Sequence, residues 1–423
     1  MALSDRGTVH VVGAGLAGLA AAVRLAQAGR TVVVHEAALQ PGGRCRSYID
    51  PATGMLIDNG THLTLSGNYS LLSLARTLGS ADELNGPPEA EFPFADLASN
   101  ARWTLRFNDS RFPWWLFDKE RRVPQTGVVD YLPLARLMFG TADRAIADVM
   151  NCSGPIYERM LRPLLLAALN IDPRDGSARL AQGVIRETLA AGGIACRPLL
   201  ARRGIGNVFV EPGLRYLEKR GVPVVLQDEL RGLSFADGRI AGLELTNGPV
   251  KLSTDDGVIL AVPPYAAAAL LPKLRTPTEF RGIVNAHFKI DPPPHLPAML
   301  GVVNGLSEWI FAHPGRISVT ISDAGRLFER PRAELAADIW RDVARVADLS
   351  ETLPPWQIVR ERRATFAATP EQNARRPDAQ TAWRNLFLAG DWTATGLPAT
   401  MEGAVRSGNR AADLALRSLR VAA

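Results

Sequence analysis

The stretch TVHVVGAGLAGLAAAVRLAQAGRTVVVHE, Thr8 to Glu36, constrains the fold more than any other part of the chain. A β-branched run, Thr8 to Val12, leads directly into GAGLAG. LAAAVRLAQAG then reads as a helix stopped by Gly29, and Thr31 to Glu36 reads as a second strand. Each glycine has a mechanical use. Gly13 permits a tight turn, Gly15 lets the backbone approach a pyrophosphate, and Gly18 lets helix and strand pack closely. The helix N-terminus offers unpaired N–H groups and partial positive charge to phosphates. Glu36 stands 18 residues past Gly18, where a carboxylate accepts hydrogen bonds from a ribose and disfavours a 2′-phosphate. A glycine-rich turn alone signifies little. The preceding strand, the following helix and the spaced acid together predict a dinucleotide site in an α/β, Rossmann-like domain.

The chain has 423 residues, which points to two structural domains. Hydrophobic residues make up 47% and charged residues 22%, a globular balance. The net charge of +5 comes mostly from scattered Arg with no long basic block, which argues against nucleic acid and leaves an anionic membrane surface open. Cys45, Cys152 and Cys196 are far apart and no CxxC occurs. No disulfide framework, redox dithiol or metal site is therefore expected. The first strand begins so early that no signal peptide is expected. No run of about 20 apolar residues suggests a membrane span. The expected setting is cytoplasmic, with a peripheral place on the inner face of the plasma membrane.

QPGGRCRS, Gln40 to Ser47, follows the second strand. Gly42 and Gly43 can bring backbone close to a cofactor, and Arg44 can neutralise phosphate charge. At the far end, LFLAG predicts a buried strand closed by Gly390 and Asp391, and Met401 onward predicts a helix with Gly403, Ala404 and Gly408 on a small-residue face. Both regions resemble the two flavin motifs of the amine oxidase and phytoene desaturase superfamily. That resemblance implies FAD, with Asp391 near the ribityl or pyrophosphate side and the Met401–Glu402–Gly403 amides at the flavin ring. Glu402 has an alternative reading as an ordinary first-turn acid. The resemblance also implies that VPVVLQDELRGLSFADGRIAGLELTNG and DDGVILAVPP return the chain to the FAD domain, with backbone near Leu230 at the adenine. The FAD-binding domain is then discontinuous, comprising 1–75, 197–270 and 380–423, and 76–196 and 271–379 form an inserted α+β substrate domain.

In the inserts, RWTLRFNDSRFPWWLF predicts an aromatic hairpin, and FRGIVNAHFKI and EWIFAHPGRISVTIS alternate as strands do. Trp114, Trp115, Phe117, Leu132, Leu137, Met138 and Phe139, flanked by Arg111, Lys119, Arg121, Arg122 and Arg136, suit either an interfacial patch or ordinary core. No second GxGxxG follows a strand, so electrons must reach the flavin from a separate donor.

DNGTHLTLSGNY (Asp58 to Tyr69), PLLLAALN and GDWTATGLPATMEGAVRSG together resemble the squalene-associated flavin oxidoreductases, the hydroxysqualene dehydroxylases. The likeness spans the chain. It departs at Thr61, where the family commonly has Gln or Pro, so that position need not be chemically essential. The resemblance implies a hydrophobic isoprenoid substrate, hydroxysqualene, whose allylic hydroxyl is removed reductively to give squalene and water. Alternatives are a carotenoid desaturase, an amine oxidase, or a non-catalytic prenyl-lipid escort protein. Asn59 and Gly60 are expected at the flavin. His62 is the candidate proton donor, with a structural role beside the flavin as the alternative. Asp58 is expected to fix the turn.

Overall fold

The computed structural model describes residues 7–140 and 142–418. The chain ends 1–6 and 419–423, assigned above to the FAD domain, lie outside the described residues.

The opening motif folds as its sequence requires. Strand Val9–Val12, helix Leu16–Gln27 and strand Val32–Glu36 follow one another. They build a five-stranded parallel sheet in the order Val224–Leu226, Val32–Glu36, Val9–Val12, Gly257–Leu260, Leu386–Leu388. Three of its strands come from the first 40 or the last 40 residues of the chain, so this sheet gathers both termini. Alternation sorts its side chains. Val9, Val11, Val32, Val34, Ile259 and Phe387 face the helices Leu16–Gln27, Ile205–Glu218 and Met401–Ser418. Val12, Val258, Leu260, Leu386 and Leu388 face the antiparallel meander Leu230–Ala236, Arg239–Leu245, Gly248–Lys251. The Asp-Gly and Asn-Gly pairs, which favour hairpin turns, lie at the two bends of this meander, with Asp237 and Gly238 both at positive φ.

A second sheet of seven strands has the order Trp356–Phe366, Phe280–Phe288, Arg316–Ile321, Trp309–His313, Met299–Val303, Ala90–Asp96, Arg102–Phe107. One face carries Val284, Ala286, Ile310, Val319 and Ile321 against helix Arg332–Ala347. The other carries a continuous cross-strand row, Asn285, Thr320, Trp309, Gly301, Phe94 and Trp103. Phe94 stacks on Trp103 and meets Trp309 edge-on. A Cβ at Gly301 would lie 2.3 Å from the Phe94 ring, so only glycine fits that place in the row.

The aromatic hairpin expected at 102–117 does not form there. Arg102–Phe107 pairs backward with Ala90–Asp96, and the remainder is a compact loop ending in the 3-10 turn Trp114–Phe117. Asn108 is the reason. Its Nδ2 donates to Ser110 and Phe112 oxygens, and its Oδ1 accepts from the Trp115 amide at 3.0 Å. Pro113 further removes a ladder donor.

Candidate cofactor and substrate site

One continuous cavity of about 1280 Å³ runs from the opening glycine turn to the aromatic face of the seven-stranded sheet. Gly13, Gly15, Glu36, Gly42, Gly43, Arg44, Asn59, Gly60, His62, Leu230, Gly390, Asp391, Met401 and Glu402 all line it. Gly18 and Gly403 do not.

The glycine turn is built for backbone approach. Gly13 sits at φ +106° with the Ala261 carbonyl 2.6 Å from where a Cβ would stand. At Gly15 nothing lies within 4 Å of that position, which opens into the cavity. Glu36 ties the turn to the second strand. Its Oε2 accepts from the Ala14 amide at 2.7 Å and its Oε1 from the Ala38 amide at 2.9 Å. Gly42 and Gly43 both adopt positive φ, and Gly42 bridges to Gly15. The open edge left by these glycines, with a helix N-terminus behind it, fits the pyrophosphate of a dinucleotide.

Arg44 departs from its expected use. Its guanidinium donates to Asp391 Oδ1 at 2.7 Å and to the Ala364 carbonyl. Its charge is thus already partnered, and the two motifs are joined across the cavity floor. Asp391 is buried, and Arg376, buried as well, donates to the Asp391 and Thr393 carbonyls and to Thr395 Oγ1. Burial pulls the Arg376 pKa down to about 10, and the nearby Asp391 and Asp143 carboxylates oppose that fall. Arg376 had no recognisable motif around it, yet it pins the Gly390–Asp391 turn.

The amides of 401–403 divide. Met401 lines the cavity. The Gly403 amide is taken by Thr400 Oγ1 at 3.0 Å, so it is not available to a flavin. The Glu402 carboxylate turns away, accepting from the Ser70 and Leu71 amides and from Arg406.

The segment after Asp58 crosses the cavity. Asp58 Oδ1 accepts from Ser47 Oγ and from the Ile205 amide at 3.0 Å, which anchors the turn from beneath. Burial pushes its carboxyl above the ordinary range. Asn59 accepts from Arg46 and donates to Glu361 at 3.1 Å. His62 Nε2 lies 3.4 Å from the Arg44 carbonyl oxygen. Burial lowers the His62 pKa against the opposing pull of Asp58. That direction favours the neutral form of the ring.

Beyond His62 the cavity becomes apolar, lined by Leu161, Leu165, Phe92, Phe107, Trp309 and Phe311. Four polar residues stand at its near end: Thr61, Asn285, Thr320 and Ser322. Behind Ser322, Glu308 accepts from the Ser322 amide at 2.7 Å, and burial pushes its carboxyl up to about 7. Asn285 was readable as a polar residue at an inward position of a strand. Its destination was not, because that depends on sheet order.

The aromatic patch splits between core and surface. Trp115 and Leu137 are buried, whereas Phe112, Trp114, Phe117, Leu132 and Phe139 are exposed, Phe139 to 82%. Phe107, which lines the cavity, packs edge-on against Trp115 at 4.9 Å.

Residues 16–416 match the model of the flavin containing amine oxidoreductases. The chain is 58% identical to a hydroxysqualene dehydroxylase of Rhodopseudomonas palustris, over 97% of this chain and 98% of that one. It is 56% identical to one of Sinorhizobium fredii, over 96% and 98%. Cyclohexylamine oxidase from Brevibacterium oxydans superposes with a TM-score of 0.69 at 16% identity, covering 97% of this chain and 99% of that one, which shows a shared fold.

Proposed function

This chain belongs to the hydroxysqualene dehydroxylases, within the flavin-containing amine oxidoreductases, and from that premise we propose that it converts hydroxysqualene to squalene and water by reductive loss of the allylic hydroxyl. It is an FAD-dependent oxidoreductase. The single observation that best supports the substrate is the cavity itself. A dinucleotide cradle at one end opens, past Gly60 and His62, into an apolar limb lined by aromatic rings, the lining a hydrocarbon chain would take.

When bound, reduced FAD supplies the hydride. The chain's own groups bind, orient and exclude water. Glu36 and the glycine turn would hold the adenosine and pyrophosphate side, Leu230 would back the adenine, and the Asp391–Arg44 pair and Met401 would meet the flavin end. The apolar limb keeps water from an allylic carbon that becomes electron-poor as the C–O bond breaks. The terminal sheet and the meander form the FAD part, and the seven-stranded sheet with its helices forms the substrate part.

The test is anaerobic incubation of photoreduced protein with hydroxysqualene and with carotenoid-type polyenes. Squalene and flavin reoxidation are expected with the first alone. Desaturated polyene from the oxidised enzyme, without squalene, would support the desaturase alternative instead. In the same assay His62→Ala should keep full FAD and at least about a tenth of wild-type turnover. Its pH profile between 6 and 8 should match wild type if the ring only holds the cavity wall. Loss of a limb in that profile would restore His62 as the acid.

We also propose that the exposed rings of Phe112, Trp114 and Phe117, together with Phe139, rest on the inner face of the plasma membrane, where such a substrate resides. Phe112, Trp114 and Phe117 pack on one another, the neighbouring Trp115 packs on the cavity-lining Phe107, and the bases Arg111, Lys119 and Arg136 are exposed. Among the described residues no helix is long and apolar enough to cross a membrane. Changing Trp114, Phe117 and Phe139 together to Ser should abolish co-sedimentation with anionic vesicles and leave turnover of detergent-dispersed substrate intact. Unchanged vesicle binding would reject this surface.

A further inference from the structure

Asn285 presents a donor that the protein itself leaves unused. The residue is 1% exposed and sits in strand Phe280–Phe288. Its Oδ1 accepts from the Thr61 amide at 3.2 Å and from Thr320 Oγ1 at 2.8 Å. A backbone N–H can only donate, so the atom it meets must be the amide oxygen. That settles which way the Asn285 amide faces. Among the described residues the remaining atom, Nδ2, has no hydrogen-bond partner. The Thr61 hydroxyl is likewise buried and unpartnered among them.

The position of that donor matters. A Cβ built on Gly60 would stand 3.6 Å from Asn285 Nδ2 and 3.7 Å from His62 Nε2. The donor therefore lies against the loop that divides the cofactor end of the cavity from the apolar limb. Along the same sheet face, away from Asn285, the row continues through Thr320 to Trp309, Phe94 and Trp103. The cavity thus has one polar end next to the cofactor cradle and an aromatic remainder. An allylic alcohol on a long hydrocarbon has the same polarity.

We propose that Asn285 Nδ2 donates a hydrogen bond to the hydroxyl oxygen of the substrate, holding the C–O bond at the reacting end of the cavity. This rests on the dehydroxylase reading above. In that reaction hydride adds to the allylic carbon, the C–O electron pair leaves on oxygen, and a proton on that oxygen completes water. Asn285 supplies no proton. Its bond strengthens as negative charge grows on the departing oxygen, so it favours the transition state over the bound alcohol. It also discriminates, because a site built around a buried donor rejects a ligand that leaves the donor unpaired.

The experiment compares alcohol and hydrocarbon on FAD-loaded protein. Affinity for hydroxysqualene and for squalene is read from perturbation of the flavin spectrum, and squalene formation is followed in parallel. Asn285→Ala should lower kcat/KM by about 10- to 100-fold and weaken hydroxysqualene binding by about 10-fold. Squalene affinity should hold or rise, because the donor that squalene leaves unpaired is gone. Asn285→Asp keeps an oxygen toward Thr61 and Thr320 but replaces the donor with an acceptor. It should fold, retain FAD and lose kcat/KM by a similar factor even where the Ala variant fails to fold, because a carboxylate can accept from the alcohol O–H but cannot donate to the departing oxygen. Parallel loss of both affinities in the Ala variant, or unchanged kcat/KM in the folded Asp variant, overturns the proposal. An active wild type with either result sinks only this inference. A wild type that makes no squalene sinks the parent reading and this one together.

Discussion

Gly18→Val should give a protein that retains no FAD, whereas Gly15→Ala should fold normally and lose only cofactor affinity. The two glycines belong to one motif but answer to different physics. At Gly18 a Cβ would fall 1.9 Å from the Gly13 carbonyl oxygen and 3.3 Å from Ala261 Cβ. The obstacle is backbone, not a flexible side chain, and the backbone it strikes is the turn itself. Helix Leu16–Gln27 would have to retreat, and its N-terminus lines the cavity where the phosphates of FAD would sit. Forcing such a contact costs about 3 kcal/mol or more, so the apoprotein should unfold at a lower temperature. At Gly15 the same Cβ meets nothing within 4 Å. Any penalty there arises only when a ligand occupies the open edge. Thermal unfolding of the two apoproteins, read beside flavin absorbance after reconstitution, separates these outcomes. Equal destabilisation of both apoproteins would refute the distinction.

The contrast shows which parts of this molecule a sequence discloses. The strand–turn–helix unit at 8–36 and the Gly390–Asp391 turn are local. Their geometry follows from glycine freedom, a β-branched run and helix periodicity, all within about 30 residues. The meander between 230 and 251 was legible for the same reason, through its Asp-Gly and Asn-Gly turns. What was not legible depends on partners far apart. Arg44 reads as a phosphate ligand until Asp391, 347 residues on, is found bonded to it. Arg376 carries no motif, and only the folded turn shows its purpose. The segment after Phe107 reads as a returning strand because its aromatics favour strands, but one Asn side chain captures the loop instead. Asn285 stands out by alternation, yet its meaning requires knowing that strand 280–288 lies beside 316–321 and faces the cofactor loop.

Glu402 marks where the motif-based expectation was half right, and its removal should be the most damaging single change outside the glycine turn. The residue is 1% exposed in the first turn of helix Met401–Ser418. Its oxygens accept from the Ser70 amide at 3.2 Å, the Leu71 amide at 2.8 Å and Arg406 Nη2 at 2.9 Å. Ser70 and Leu71 open helix Tyr69–Leu78, whose own N-cap, Asn68, makes no side-chain capping bond. Glu402 therefore caps a neighbouring helix from outside. Arg406, in turn, is bidentate to Glu187 at 2.9 and 2.8 Å, so one carboxylate joins the helix at 69–78, the C-terminal helix and the wall of the substrate limb. Glu402→Ala strands two buried amide donors and leaves Arg406 with Glu187 alone, a loss of about 3–5 kcal/mol. Glu402→Gln preserves shape and one acceptor, and should lose about half as much. The decisive reading is the apoprotein. If Glu402 serves the fold, both variants lower its unfolding temperature before any flavin is added, and whatever folds binds FAD with wild-type affinity. If it serves the flavin, apo stability stays level and only reconstitution suffers. The hydrogen bonds place the effect in the apoprotein, since every acceptor site used by Glu402 is filled by the chain itself.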